Sequence, residues 1–128
     1  MEQEAQGIVT DLRQLSMQMI AAKRELEESM TEHERCVHES AEADRVSRIA
    51  KASAYLAASG PVAERQAHVD IATADAQHRA KLADGLEKSA LEAVRSRRQV
   101  LSSLQSLASL AREEVRLATF EPSETRTA

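Results

Sequence analysis

From Ile8 onward the apolar side chains recur in steps of three and four: Ile8, Leu12, Leu15, Met19, Ala22, Leu26 and Met30. That spacing keeps them on one face of a helix, as a stripe of the width one neighbouring helix covers. With less bulk the stripe continues through Val37, Ala41, Val46, Ile49, Ala52 and Leu56, and it is thin around Glu32 to Glu39, where charge dominates. It is interrupted at Ser59-Gly60-Pro61. Gly60 can take the positive φ that closes a helix, and Pro61 has no N–H to lose in the first turn of the next one. Glu64 then stands early, where the helix macrodipole favours an acid. A second stripe follows in Val69, Ala72, Ala76, Ala80, Ala83, Leu86, Ala90, Val94, Leu101, Leu104, Leu107 and Leu110, with Gly85 as an interior weak point. From Val100 to Leu110 the leucines point in several directions, which is more apolar surface than one partner helix covers. The pattern predicts a helix over about residues 8–58, a turn at 59–61 and a helix over about 62–118, together one hairpin domain over residues 1–118. Residues 1–7 are polar and expected to fray. Thr119-Phe120-Glu121-Pro122 is expected to end the second helix, leaving 119–128 as a disordered tail.

Closing the hairpin at the corner sets a register in which facing residues have numbers summing to about 121, because both helices rise equally per residue. Leu12, Leu15 and Met19 then face Leu110, Leu107 and Leu101. Glu25, Glu27 and Glu28 lie beside Arg95, Arg97 and Arg98, and Glu39 and Glu42 beside Arg79 and Lys81. Apolar meets apolar and acid meets base, which favours an antiparallel, coiled-coil-like pair over two splayed helices.

Composition strengthens the all-α reading. Tyr55 and Phe120 are the only aromatic residues, and Ala, Leu, Glu, Arg, Gln and Ser dominate, so the chain offers few of the residues that build strands. A two-helix hairpin buries one stripe per helix and closes no core, so the surplus apolar surface predicts a homo-oligomer. The expected subunit contact is Met17, Ile20, Leu101, Leu104, Leu107 and Leu110. Charge is uneven: residues 1–44 carry eleven acids and four bases, whereas Arg45 to Ala63 holds three bases and no acid. The single cysteine, Cys36, cannot form an internal disulfide, and no apolar run resembles a signal peptide or a membrane span, which points to the cytoplasm.

Candidate chemistry is sparse. His33 and Cys36 share a helical face, but His38 points about 140° away from His33, so the three do not close a tetrahedral metal site. His68 follows Glu64 by four residues and His78 follows Asp75 by three, giving two ligands each and no complete site. There is no Gly-rich phosphate loop and no nucleophile with a matched base. We therefore read the chain as non-enzymatic, with no cofactor. Arg45, Arg48 and Lys51, with Arg65 beyond the corner, form a basic stripe whose ordinary explanation is a solvated face. In a ring of subunits the same stripe would make a continuous basic surface for a phosphate backbone, and with few aromatics its binding would be salt-sensitive and indifferent to sequence.

The run Ile49-Ala-Lys-Ala-Ser-Ala-Tyr-Leu-Ala-Ala-Ser-Gly60-Pro-Val-Ala-Glu-Arg-Gln-Ala-His, an Ala-rich second helix, and Ala93-Val-Arg-Ser-Arg-Arg-Gln-Val-Leu-Ser-Ser-Leu-Gln resemble small helical proteins of tailed bacteriophages. More distantly they resemble the phage recombination-mediator (UvsY) family. The resemblance covers about residues 45–118, and its Ala-rich motifs are of low specificity. It implies an oligomeric helical ring in an infected bacterial host that binds single-stranded DNA and helps load a recombinase in place of a single-strand-binding protein. The family's basic residues near the corner fall on Lys51 and Arg48, while Ser53 stands where a second basic residue is expected. The competing expectation is a coiled-coil interaction module, an adaptor or inhibitor that engages a host or defence protein.

Overall fold

The computed structural model describes residues 2–124. They form two helices, α1 (Glu2–Ala57) and α2 (Val62–Glu124), packed against each other as a hairpin. Both helices outrun their predicted ends. α1 starts at Glu2 instead of near Ile8, because an acid at Glu2 suits the positive end of the macrodipole and extending a formed helix costs little. α2 runs past Pro122 to Glu124. The proline removes one backbone donor in the final turn, and just before it the Thr119 hydroxyl donates to the carbonyls of Val115 at 3.1 Å and Arg116 at 3.0 Å. Residues 119–124 of the expected tail are thus helical, while 125–128 and the side chain of Ile8 lie outside the described residues.

At the corner the Ala58 N–H donates to the Ala54 carbonyl at 3.0 Å, closing the last turn of α1. Gly60 follows at φ 107°, in the left-handed region that residues with a Cβ avoid. The Arg65 N–H then donates to the Pro61 carbonyl at 3.0 Å, so helical bonding resumes from the proline itself. A Cβ on Gly60 would also stand 3.2 Å from Glu64 Oε2. The chain reverses where glycine and proline together permit it.

Backbone contacts divide the chain into two compact units: a terminal unit, Met1–Glu28 with Arg95–Ala128, and a corner unit, Ser29–Val94. In the terminal unit α1 turns Leu12, Leu15, Met19, Ala22 and Leu26 inward, and α2 answers with Leu101, Leu104, Ala108, Ala111 and Val115. Ala22 and Ala108 are buried and the others half-buried. Arg97 pairs with Glu25 across the two helices, in the register set by the corner. The spacing alternates three and four without exception, which is the 3.5-residue repeat of a coiled-coil seam.

The corner unit keeps the same repeat with different residues. On α1 the inward positions are Ser29, His33, Cys36, Ser40, Ala43, Ser47, Ala50 and Ala54; on α2 they are Val69, Thr73, Ala76, Ala80, Ala83, Glu87, Ala90 and Val94. Cys36, Val69, Thr73 and Val94 are buried. The stripe expected for this part of α1 is therefore corrected. Met30, Val37, Ala41, Val46, Ile49, Ala52 and Leu56 are exposed, and so are Ala72 and Leu86 on α2. From Leu26 a constant repeat steps three residues to Ser29, and the bulky Met30 falls one position out of phase. Glu39 and Glu42 likewise pair along α1 with Arg35 and Arg45, instead of across to Arg79 and Lys81.

Candidate interaction surfaces

Arg45, Arg48 and Lys51 stand exposed in the corner unit, but two of the three are engaged. Arg45 donates to both carboxylate oxygens of Glu42, at 3.0 and 2.7 Å, and Arg48 Nε lies 3.0 Å from Asp44 Oδ2. The hydrogen bond from Arg45 holds the Glu42 carboxyl below its ordinary value, and Glu42 in turn raises the guanidinium. One turn earlier Arg35 bridges Glu32 and Glu39, and its hydrogen bond lowers Glu32 in the same way. No acid stands between Arg45 and Ala63, yet Glu42 and Asp44 just before that stretch reach Arg45 and Arg48, as residues three and four apart on a helix do. Arg65 is half-buried, with its guanidinium carbon 5.3 Å from the centroid of the Tyr55 ring, a cation–π distance. Its Nε is buried without a hydrogen-bond partner. The four residues expected to meet a phosphate backbone thus comprise two ion-paired arginines, one arginine turned onto an aromatic ring, and exposed Lys51.

The histidine–cysteine segment is part of the seam. Cys36 is buried, its Sγ lies 3.7 Å from Glu32 Oε1, and burial, followed by the nearby Glu32 charge, pushes the thiol up. His33 is half-buried on the same face, whereas His38 is exposed. Among the described residues no group of three or more His, Cys, Asp or Glu is placed to hold a metal ion. Across the seam the buried Thr73 hydroxyl donates to the Val69 carbonyl at 2.7 Å and accepts from Gln77 Nε2 at 3.0 Å, so its burial leaves no orphaned oxygen.

The six residues expected at a subunit contact divide into groups. Leu101 and Leu104 are half-buried and belong to the hairpin's own seam. Met17, Ile20, Leu107 and Leu110 are exposed. Met17 lies about 200° round α1 from Leu15, so it faces away from α2. Leu107 and Leu110 instead flank the seam, where with Leu15 and Ala111 they floor an open groove of about 400 Å³ in the terminal unit. Its rim carries Asp11, Gln14, Gln18 and Glu114, two acids and no base. Val100 and Leu117, which the stripe reading passed over, are also exposed. Val100 belongs to the surplus of apolar positions that the sequence shows between Val100 and Leu110, whereas Leu117 lies beyond it.

Among the described residues no helix is long and apolar enough to cross a membrane. The chain matches no protein-family model, no curated protein and no solved structure.

Proposed function

We propose that this chain is a non-enzymatic interaction module that assembles with itself, helix against helix. The observation that carries this reading is the exposed aliphatic surface of the terminal unit. Met17, Ile20, Val100, Leu107, Leu110 and Leu117 are each between 48% and 71% exposed in a hairpin that has only one seam to hide them. Surface of this kind is covered by other helices in bundles. The groove lined by Leu15, Leu107, Leu110 and Ala111 is open, which suits a docking helix better than an enclosed small molecule.

Binding of single-stranded DNA as a recombination accessory, with a recombinase or single-strand-binding protein as partner, has less support. It would draw on Lys51 together with two arginines whose charge is shared with Glu42 and Asp44. Sedimentation velocity and fluorescence anisotropy separate the two readings. Self-association that survives high salt, with no binding of a single-stranded oligonucleotide at low salt, is the expected result. A monomer at all accessible concentrations overturns the module. Salt-sensitive oligonucleotide binding that is lost in Arg48→Glu with Lys51→Glu replaces it with the DNA reading.

A further inference from the structure

α2 carries two 3–4 rows. The first, Arg97, Leu101, Leu104, Ala108, Ala111 and Val115, meets α1 in the terminal unit. The second, Val100, Ser103, Leu107, Leu110, Glu114 and Leu117, is entirely exposed. From Val100 onward each member stands one residue before a position of the first repeat, so the helix presents two parallel stripes about 100° apart. Helices inside bundles are built this way, with one stripe for each neighbour.

We infer that the second row is the contact with another copy of this chain, joined antiparallel about a two-fold axis between Leu107 and Leu110. This deepens the self-assembly reading above and rests on it. The order of residues is self-complementary under that symmetry. Leu107 meets Leu110 of the second copy, Val100 meets its Leu117, and Ser103 meets its Glu114. Charge selects the orientation. A parallel, in-register pair stacks Glu114 on Glu114 of the other copy, whereas the antiparallel pair gives each carboxylate a serine hydroxyl as donor. Slipping the pair by one heptad in one direction sets Glu114 against Leu110, and slipping it in the other sets Leu107 against Ser103. Only the register centred between the leucines matches bulk with bulk and acid with donor.

The groove beside this row fits the arrangement. Its floor is Leu15, Leu107, Leu110 and Ala111, and Leu107 and Leu110 of the second copy enter it as knobs. Beside the row, Glu113 already accepts a hydrogen bond from Arg116 at 2.7 Å, so docking brings no unpaired acid from that position. Two hairpins joined in this way bring four helices together over their terminal units.

The test uses the full chain carrying Cys36→Ser. Sedimentation velocity should show a dimer whose dissociation constant rises at least ~100-fold in Leu107→Glu with Leu110→Glu. Circular dichroism should show unchanged helix content, because both side chains are exposed in the single hairpin. Leu117→Glu, at the end of the row, should weaken the dimer more mildly and serves if the double variant fails to fold. Under oxidation, Ser103→Cys with Glu114→Cys should give a covalent dimer on a denaturing gel, and Ser103→Cys alone should not. A chain that is monomeric throughout overturns this inference and the self-assembly reading together. An oligomer that ignores Leu107→Glu with Leu110→Glu but dissolves in Met17→Glu with Ile20→Glu overturns this surface only. Efficient cross-linking of Ser103→Cys to itself overturns the antiparallel register.

Discussion

In the terminal unit the seam is filled chiefly by leucine, with Met19, Val115 and the alanines Ala22, Ala108 and Ala111; in the corner unit the same repeat is filled mostly by alanine and serine, with Cys36, Thr73 and the valines Val69 and Val94 buried among them. The two stretches solve one packing problem with different proportions of large and small side chains. Large aliphatic side chains hold two helices together by the area they remove from water, at roughly 25 cal/mol per Å². Small ones remove little area each and rely on close backbone approach and on dispersion between well-fitted atoms. The difference also decides where the bulky residues of each unit go. In the terminal unit they fill the seam and spill over onto Leu107 and Leu110; in the corner unit Val37, Val46, Ile49 and Leu82 are left outside it.

The contrast breaks most clearly at the seam residues. Leu104→Ala should destabilise the hairpin by about 2–3 kcal/mol, the low end for a truncated leucine because Leu104 is only half-buried. Amide hydrogen exchange should then quicken chiefly in residues 1–28 and 95–124. The corner unit should resent the opposite change. Cys36→Leu pushes bulk into a buried small-residue position and should cost about 1–3 kcal/mol, with faster exchange confined to residues 29–94. If Cys36→Leu stabilises the protein, the seam there is under-filled and the contrast fails. A smaller effect of the other sign is expected at Gly85, where an added Cβ meets nothing within 4 Å. Gly85→Ala should raise stability by about 0.5–1 kcal/mol, read as a higher denaturant midpoint, because it removes the backbone freedom of a glycine inside a helix.

The smallest effect is on pH. Glu32 and Glu42, both in the corner unit, are held below the ordinary carboxylate value near 4.5 by Arg35 and Arg45. Their stabilising contribution is present above that value and is lost as pH falls through the lower, folded values. Thermal melts should therefore soften modestly on acidification below about pH 4.5. Glu32→Gln with Glu42→Gln should flatten the part of the slope that these two groups supply.

Much of the fold was legible because it depends on local chemistry. Gly60 and Pro61 encode the reversal in their own backbone preferences, and the register that follows places Glu25 beside Arg97 with no further information. The terminal seam was legible from Leu12 to Leu26, where bulk and period coincide. It was lost at Met30, where they part. There the eye follows the larger side chain, and the structure follows the repeat to Ser29. The basic stripe was legible as a run of residues but not as a surface, because its partners Glu42 and Asp44 lie one turn upstream on the same helix.

What the sequence alone determined is the class and the topology: two helices, one corner, one register. These follow from propensity, from a glycine that can adopt φ 107° and from equal rise along both arms. Tertiary structure decided which of several apolar stripes became the seam. On α2 the rows beginning at Leu101 and at Val100 have the same period, and composition does not rank them. Only packing against α1, with Ala108 buried at the contact and Leu107 left in water, made one row the interior and the other a surface.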